Sequence, residues 1–385
     1  MKEIYLDNSA TTPCLPEVTR VICRVMEEDY GNPSSLHKKG IQAEQYVKDA
    51  QKGIAGMIHA KEKEIIFTSG GTESNNLALT GCALANRRRG NRIVTTVIEH
   101  PSVTKTVMSL QEQGFEVVRV PCDENGIVLT DELYQAVNED TILVSVMMVN
   151  NEIGTRQPVE EIGSFLKANA PNALFHVDAV QAFGKYPVHI GKIECDLLSV
   201  SAHKIHGPKG AGFLYVRTGT KIRPIMSGGG QQKNLRSGTI NTPGIAGMYQ
   251  AAKRTCEGME EKVSRMRDLK NMLAEGIRQI PDTVINTPDG TIHAPHILNA
   301  SFTGIRSEVL LHSLEERGIF VSSGSACASH HPQDASALMN IGKPKRITDS
   351  AIRFSLSELT TKEQIGKTTE ALHELVPLLR RFVRR

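Results

Sequence analysis

The chain has 385 residues, more than one compact core usually holds, so two domains of unequal size are expected. Hydrophobic residues make up 39% and charged residues 23%, close to the globular average, which excludes a disordered chain or a fibrous repeat. Lys and Arg number 45 against 42 Asp and Glu, and a formal charge of +3 gives no electrostatic basis for binding nucleic acid.

No apolar run approaches the ~20 residues of a membrane span. The opening Met1-Lys2-Glu3-Ile4-Tyr5-Leu6-Asp7 lacks the charged-then-apolar plan of a signal peptide, so a cytoplasmic location is expected. The seven cysteines, at 14, 23, 82, 122, 195, 256 and 327, are odd in number and contain no C-x-x-C pair. Neither a disulfide framework nor a four-thiolate zinc site is expected, and the question becomes which single thiol reacts.

In chain order, β-branched runs at 64–68, 92–97, 141–146, 174–177, 196–200 and 212–216 predict strands. Helical patterns lie between several of them, opened by Thr72-Glu73-Ser74 and by Pro158-Val159-Glu160-Glu161. The helix before Arg87-Arg88-Arg89 ends on Gly90, so those arginines read as compensation of the helix dipole. Strand–helix alternation implies a mostly parallel sheet covered on both faces, with ligands outside the carboxyl ends of its strands. Past residue 255 the pattern weakens. A polar helix over 257–279 and strands at 297–302, 319–322 and 352–356 predict a smaller α+β domain.

Three segments carry chemistry. In Phe67-Thr68-Ser69-Gly70-Gly71-Thr72-Glu73-Ser74 a strand runs through two glycines into a helix, where backbone N–H groups and the helix dipole attract a phosphate. A tight turn with an N-cap explains the same residues, and the segment is neither a Walker loop nor a dinucleotide fingerprint. His176-Val177-Asp178-Ala179-Val180-Gln181 puts an acid at the end of a buried strand, and Ser199-Val200-Ser201-Ala202-His203-Lys204 puts a lysine after another. Alone, each is a turn former or a solvated amine. Together they meet the needs of pyridoxal phosphate: an amine to hold the aldehyde, an acid for the ring nitrogen and a cradle for the anion.

With Tyr5-Leu6-Asp7-Asn8-Ser9-Ala10-Thr11-Thr12, Gly31-Asn32-Pro33-Ser34-Ser35, Glu99-His100, Asn150-Asn151-Glu152-Ile153-Gly154, Arg236-Ser237-Gly238-Thr239 and Ser322-Ser323-Gly324-Ser325-Ala326-Cys327, these segments resemble the class V aminotransferase group. Within it they are most similar to the NifS/IscS-type cysteine desulfurases, from residue 4 to about 370. The resemblance implies an α/β fold of fold type I, with a mostly parallel seven-stranded sheet in a large cofactor domain over 13–258. A small domain over 259–385, joined by 1–12, would carry the cysteine loop.

It further implies that Lys204 binds pyridoxal phosphate covalently, Asp178 pairs with the pyridine N–H, Gln181 bonds the ring oxygen, and His100 stacks on the ring and moves protons. Gly71, Thr72, Ser201 and His203 would bind the phosphate, with Thr239 reaching it from the partner of a homodimer with shared sites. Asn151 and Arg353 would hold the carboxylate of L-cysteine, a geometry that suits arginine. Cys327 would attack the substrate sulfur, leaving alanine and a persulfide. That sulfur would pass to acceptor proteins for iron–sulfur cluster assembly or tRNA thiolation, which calls for a loop that moves.

Cys327 with His330 and His331 does not make a closed metal site, and a solvated loop with no metal is expected. The basic end Leu378-Leu379-Arg380-Arg381-Phe382-Val383-Arg384-Arg385 reads as a helix terminus compensating its dipole. Two other functions fit the same residues: a transaminase or lyase for another amino acid, with Cys327 incidental, and a sulfur carrier that has lost its cofactor.

Overall fold

The structure is a computed structural model that describes residues 3–291, 293–323 and 336–382. Cys327, His330, His331 and the last three residues lie outside these ranges.

The chain opens with β1 (Ile4–Tyr5). Seven further strands then form one sheet: β2 (Ile65–Thr68), β3 (Arg92–Thr96), β4 (Glu116–Val120), β5 (Thr141–Met147), β6 (Leu174–Asp178), β7 (Leu197–Ser201) and β8 (Gly212–Val216). Their order is β2-β8-β7-β6-β5-β3-β4, and β8 alone runs against its neighbours. The expected seven-stranded, mostly parallel sheet is present. Every residue of β2, β5 and β7 is buried, as in a sheet covered on both faces.

Strand periodicity divides these side chains between two layers. Val94, Val144, Val200, Phe213 and Tyr215 pack with the helices Lys38–Ile58, Val159–Asn169 and Thr242–Cys256. Ile93, Leu143, Leu197 and Leu214 point the other way, against the helices Gly71–Asn86 and Pro101–Glu112. The sequence reading omits β4: at the sheet edge, with Glu116 and Arg119 exposed, it lacks the apolar run of the central strands. The arginines after Gly71–Asn86 do more than balance a dipole. Arg87 donates to the Gln113 carbonyl and lies over Phe115, while Arg89 reaches Asn172.

A second, antiparallel sheet has the order β12-β13-β10-β9, with β9 (Thr283–Ile285), β10 (Ile297–Phe302), β12 (Ser322–Ser323) and β13 (Ala351–Ser355). Between β10 and β12, β11 (Ile319–Phe320) pairs in parallel with β1. The single strand expected at 319–322 is therefore two, because its halves pair with different partners. This sheet has its own apolar cluster, in which Phe302 and Phe354 pack edge to face against helices Met259–Arg278, Ser307–Glu315 and Lys362–Arg380. Ile4 and Leu6 belong to that cluster although they begin the chain. Arg380 closes the last helix by donating to the carbonyls of Thr303, Pro281 and Asp282.

Candidate active site

The carboxyl ends of β2, β3, β5, β6 and β7 face a cavity of about 430 Å³, into which the second sheet sends Asn299, Ser322, Ser323 and Arg353. Of the residues singled out in the sequence, Gly71, Thr72, His100, Asn151, Asp178, Gln181, Ser201, His203, Lys204 and Arg353 all line it. Thr239 does not: it is exposed, outside the cavity of its own chain. The register Ser322↔Arg353 sets the start of the Ser322–Cys327 motif beside the arginine.

The helix Gly71–Asn86 begins one residue earlier than the Thr72 start expected. Gly70 has φ +146°, a backbone conformation that side chains other than glycine's rarely adopt. A Cβ on Gly71 would stand 2.8 Å from Val180 Cγ2, so the main chain lies tight on the strand ends. The first-turn N–H groups of this helix, with Thr72, Ser201 and His203, form a donor set suited to an anion. Glu73 ties in a distant segment, taking 2.7 Å and 3.2 Å bonds from Arg236 of the Arg236–Thr239 motif.

Lys204 ends a single 3-10 turn, Ala202–Lys204, directly after β7. Its Nζ donates to the carbonyls of Ser9 and, at 2.8 Å, Ala10. Burial pushes the amine down to about 7, the Arg353 and Lys185 cations add to the shift, and Asp7 and Asp178 oppose it. Burial likewise lowers His203, to about 4, with the nearby cations Lys204 and Lys209 contributing.

Asp178 closes β6 and is buried. One carboxylate oxygen accepts from the Val180 N–H at 2.9 Å, the other from Asn75 Nδ2 at 2.8 Å. Asn75 Nδ2 also donates to Ser102 Oγ at 2.8 Å, and that hydroxyl is 2.8 Å from His100 Nδ1. Asp178 and His100 are thus joined through Asn75 and Ser102. His100 Nδ1 accepts from the Ser102 N–H, which assigns the ring proton to Nε2, and burial lowers its pKa against the pull of Asp178. Gln181 Nε2 donates to the Ser9 carbonyl at 3.0 Å.

Arg353 donates to Asp7 Oδ1 at 2.8 Å and to the Asn151 carbonyl at 2.9 Å, while its buried Nε has no partner among the described residues. The neighbouring Asn150 is structural: its Oδ1 caps the turn by accepting from Glu152 and Ile153 N–H groups. Sequence reasoning assigned no role to Asn75, Ser102 or Asp7. Asp7 lies inside a quoted motif; Asn75 and Ser102 carry no local signal, since Asn75 finds its carboxylate 103 residues away and Ser102 finds Asn75 27 residues away.

Six cysteines are described, none in a disulfide. Burial raises the thiol pKa of Cys14, Cys256 and Cys122, the last to about 12, and raises Cys82 and Cys195 further still. Those five are poorly suited to form thiolates.

The site can therefore hold an aldehyde on a partly neutral amine, a protonated ring nitrogen on a buried carboxylate, and an anion on a helix N-terminus. The family model for class-V aminotransferases matches residues 4–367. The chain is 43% identical over 379 residues to cysteine desulfurase IscS of Methanosarcina thermophila, covering 98% of this chain and 93% of the relative. It is 41% identical to cysteine desulfurase IscS of Clostridium botulinum, with 97% and 94% covered. A solved NifS-like protein superimposes with a TM-score of 0.92 at 39% identity, covering 98% of this chain and all of that one. By sequence and by fold the chain belongs to the class-V aminotransferase family, among its IscS and NifS-like members.

Proposed function

We propose that the protein is a pyridoxal-phosphate-dependent cysteine desulfurase, converting L-cysteine to L-alanine and placing the sulfur on Cys327 as a persulfide. The observation that carries this reading is the Lys204 amine, lowered to about 7, in one cavity with the Asp178 carboxylate and the Gly71 helix start. The chain's near-full-length identity to proteins named cysteine desulfurase supports the choice of substrate.

The residues fit the cofactor by the chemistry of their donors. When bound, pyridoxal phosphate supplies an electron sink that eases bond cleavage in the amino acid attached to it. Lys204 provides the amine that holds it. Asp178, whose two carboxylate oxygens accept from Asn75 and from the Val180 N–H, pairs with the ring nitrogen. Gly71, Thr72, Ser201 and His203 bind the phosphate, and Gln181 the ring oxygen. His100, neutral through burial, offers its Nε2 for proton transfer beside the ring. Arg353 and Asn151 bind the substrate carboxylate at the cavity's other wall. The Cys327 thiolate takes the sulfur: one S–S bond forms, the substrate C–S bond breaks, and a proton completes the methyl group of alanine.

The same reading divides the chain into a large domain over 13–258 and a small one over 259–385 with 1–12, supported by the separate apolar clusters and by Ile4 and Leu6 in the second. It makes the enzyme a homodimer in which Thr239 serves the partner's phosphate site. Exposed Met26, Tyr30, Leu36 and Ile41 supply apolar surface for that contact. Sulfur acceptors are scaffold proteins of iron–sulfur assembly or tRNA-thiolating enzymes. A cytoplasmic location accords with the unpaired cysteines. No helix of the described residues is long and apolar enough to cross a membrane.

The test is to load the protein with pyridoxal phosphate, reduce it with borohydride, map the modified lysine, and follow turnover of cysteine. Label on Lys204 with alanine and sulfane sulfur in equal amounts is expected. Label elsewhere, or alanine formed unchanged after Cys327→Ala, overturns the reading.

A further inference from the structure

Lys185 is a second lysine against the site. Its Nζ donates to the main-chain carbonyl of Lys204 at 2.7 Å. The turn that carries Lys204 is clamped carbonyl by carbonyl. The His203 carbonyl accepts from Thr12, that of Ile205 from Thr255, and that of His206 from the Leu15 N–H. Lys204 has the only one of these four whose donor is a charged side chain. Gly184 makes the approach possible: at φ +76° it packs so closely that a Cβ would stand 2.4 Å from Thr255 Cγ2.

Both lysines border a small cavity of about 20 Å³, enough for a single water. The Lys262–Glu358 ion pair, at 2.9 Å, and His206 and His296 complete its charged and titratable lining. Burial lowers Lys185 to about 8 while Cys256 and Glu358 oppose the shift, so most of its charge is present at neutral pH. Of the cations acting on Lys204, Arg353 is the stronger and is itself paired with Asp7, while Lys185 is the one that bonds the main chain of the turn.

We propose that Lys185 is a positioning residue for Lys204: its ammonium pins the turn by the residue 204 carbonyl, and its charge disfavours a second positive charge on the Lys204 amine. Only a neutral amine has the lone pair that a carbonyl carbon accepts, so the pair keeps Lys204 ready to bind its cofactor near neutral pH. This deepens the proposed function and rests on Lys204 being the cofactor-binding amine.

The test compares full-length wild type with Lys185→Gln, which keeps a donor but not the charge, and Lys185→Met, which keeps neither. In cofactor-free protein, the pH dependence of Lys204 acetylation by acetic anhydride is read by mass spectrometry. Both variants are expected to raise the midpoint by roughly half a pH unit or more. In dialysis at a pH about two units above each protein's own midpoint, where the Lys204 amine is neutral throughout, Lys185→Gln is expected to retain added pyridoxal phosphate like wild type, and Lys185→Met to lose it faster. Unchanged midpoints in Lys185→Gln overturn the electrostatic role, and equal retention in both variants overturns the pinning role. Should Lys185→Met not fold, the midpoint in Lys185→Gln still decides the first, and its retention beside wild type decides the second, faster loss overturning it. Borohydride trapping in wild type separates the two ideas: label on another lysine sinks the proposed function, whereas label on Lys204 with unmoved midpoints sinks only the role of Lys185.

Discussion

Asn75 sits between Asp178 and Ser102, and its single amide nitrogen serves both. Asn75→Ala leaves a buried carboxylate oxygen and a hydroxyl short of a donor, at a cost of about 1–3 kcal/mol. Denaturant unfolding is expected to show that loss, with Asn75→Ser losing less. At Lys204 the consequence is one of pH. The amine is protonated in the unfolded chain up to its ordinary value of 10.5 but loses its proton near 7 in the folded protein. Between those values the unfolded state binds more protons, so this residue makes stability rise with pH, and the contribution is lost as pH falls through 7. Cofactor-free Lys204→Met is therefore expected to gain most over wild type below pH 7, a gain that shrinks towards pH 10.5 in urea titrations.

The turns at strand ends, more than the strands, make the site. Gly71 lies against Val180 with no room for a side chain, so Gly71→Ala either moves the loop or overpacks it by about 1–3 kcal/mol. Cofactor affinity is expected to fall about tenfold or more, measured by fluorescence titration, since 1.4 kcal/mol is a factor of ten. The Gly70-Gly71 pair, Asp178 and Lys204 were legible in the sequence because each stands at or just after the end of a buried, mostly apolar strand, and such strands end at a parallel sheet's ligand edge. Asn75 was not legible as a site residue: it is one polar residue in a helix, and its carboxylate partner lies 103 residues on. The strand at 319–322 was misread as one element because its two partners, β1 and β13, come from opposite ends of the chain.

At the scale of the molecule, the cavity exists only because two sheets with separate apolar clusters face each other. Residues 7–10 stitch them together: Asp7 holds Arg353 of the second sheet, while Ser9 and Ala10 accept from Lys204 on the turn that follows β7 of the first. The order of elements in the sequence separates the strands of the two sheets, but no local pattern shows that the N-terminal segment bonds to both. Thr239, exposed on its own chain, belongs to a larger assembly in the proposed function. Sedimentation is expected to find two chains per particle, and Leu36→Glu, at a side chain 95% exposed in the single chain, to shift the protein towards one chain with weaker cofactor retention. The most direct measurement is to incubate the loaded enzyme with sulfur-labelled L-cysteine and map the label on its peptides. The expected result is sulfur on Cys327 with alanine released in equal amount. Sulfur on Cys14 or Cys23, or alanine released with no sulfur on the protein, would contradict the account.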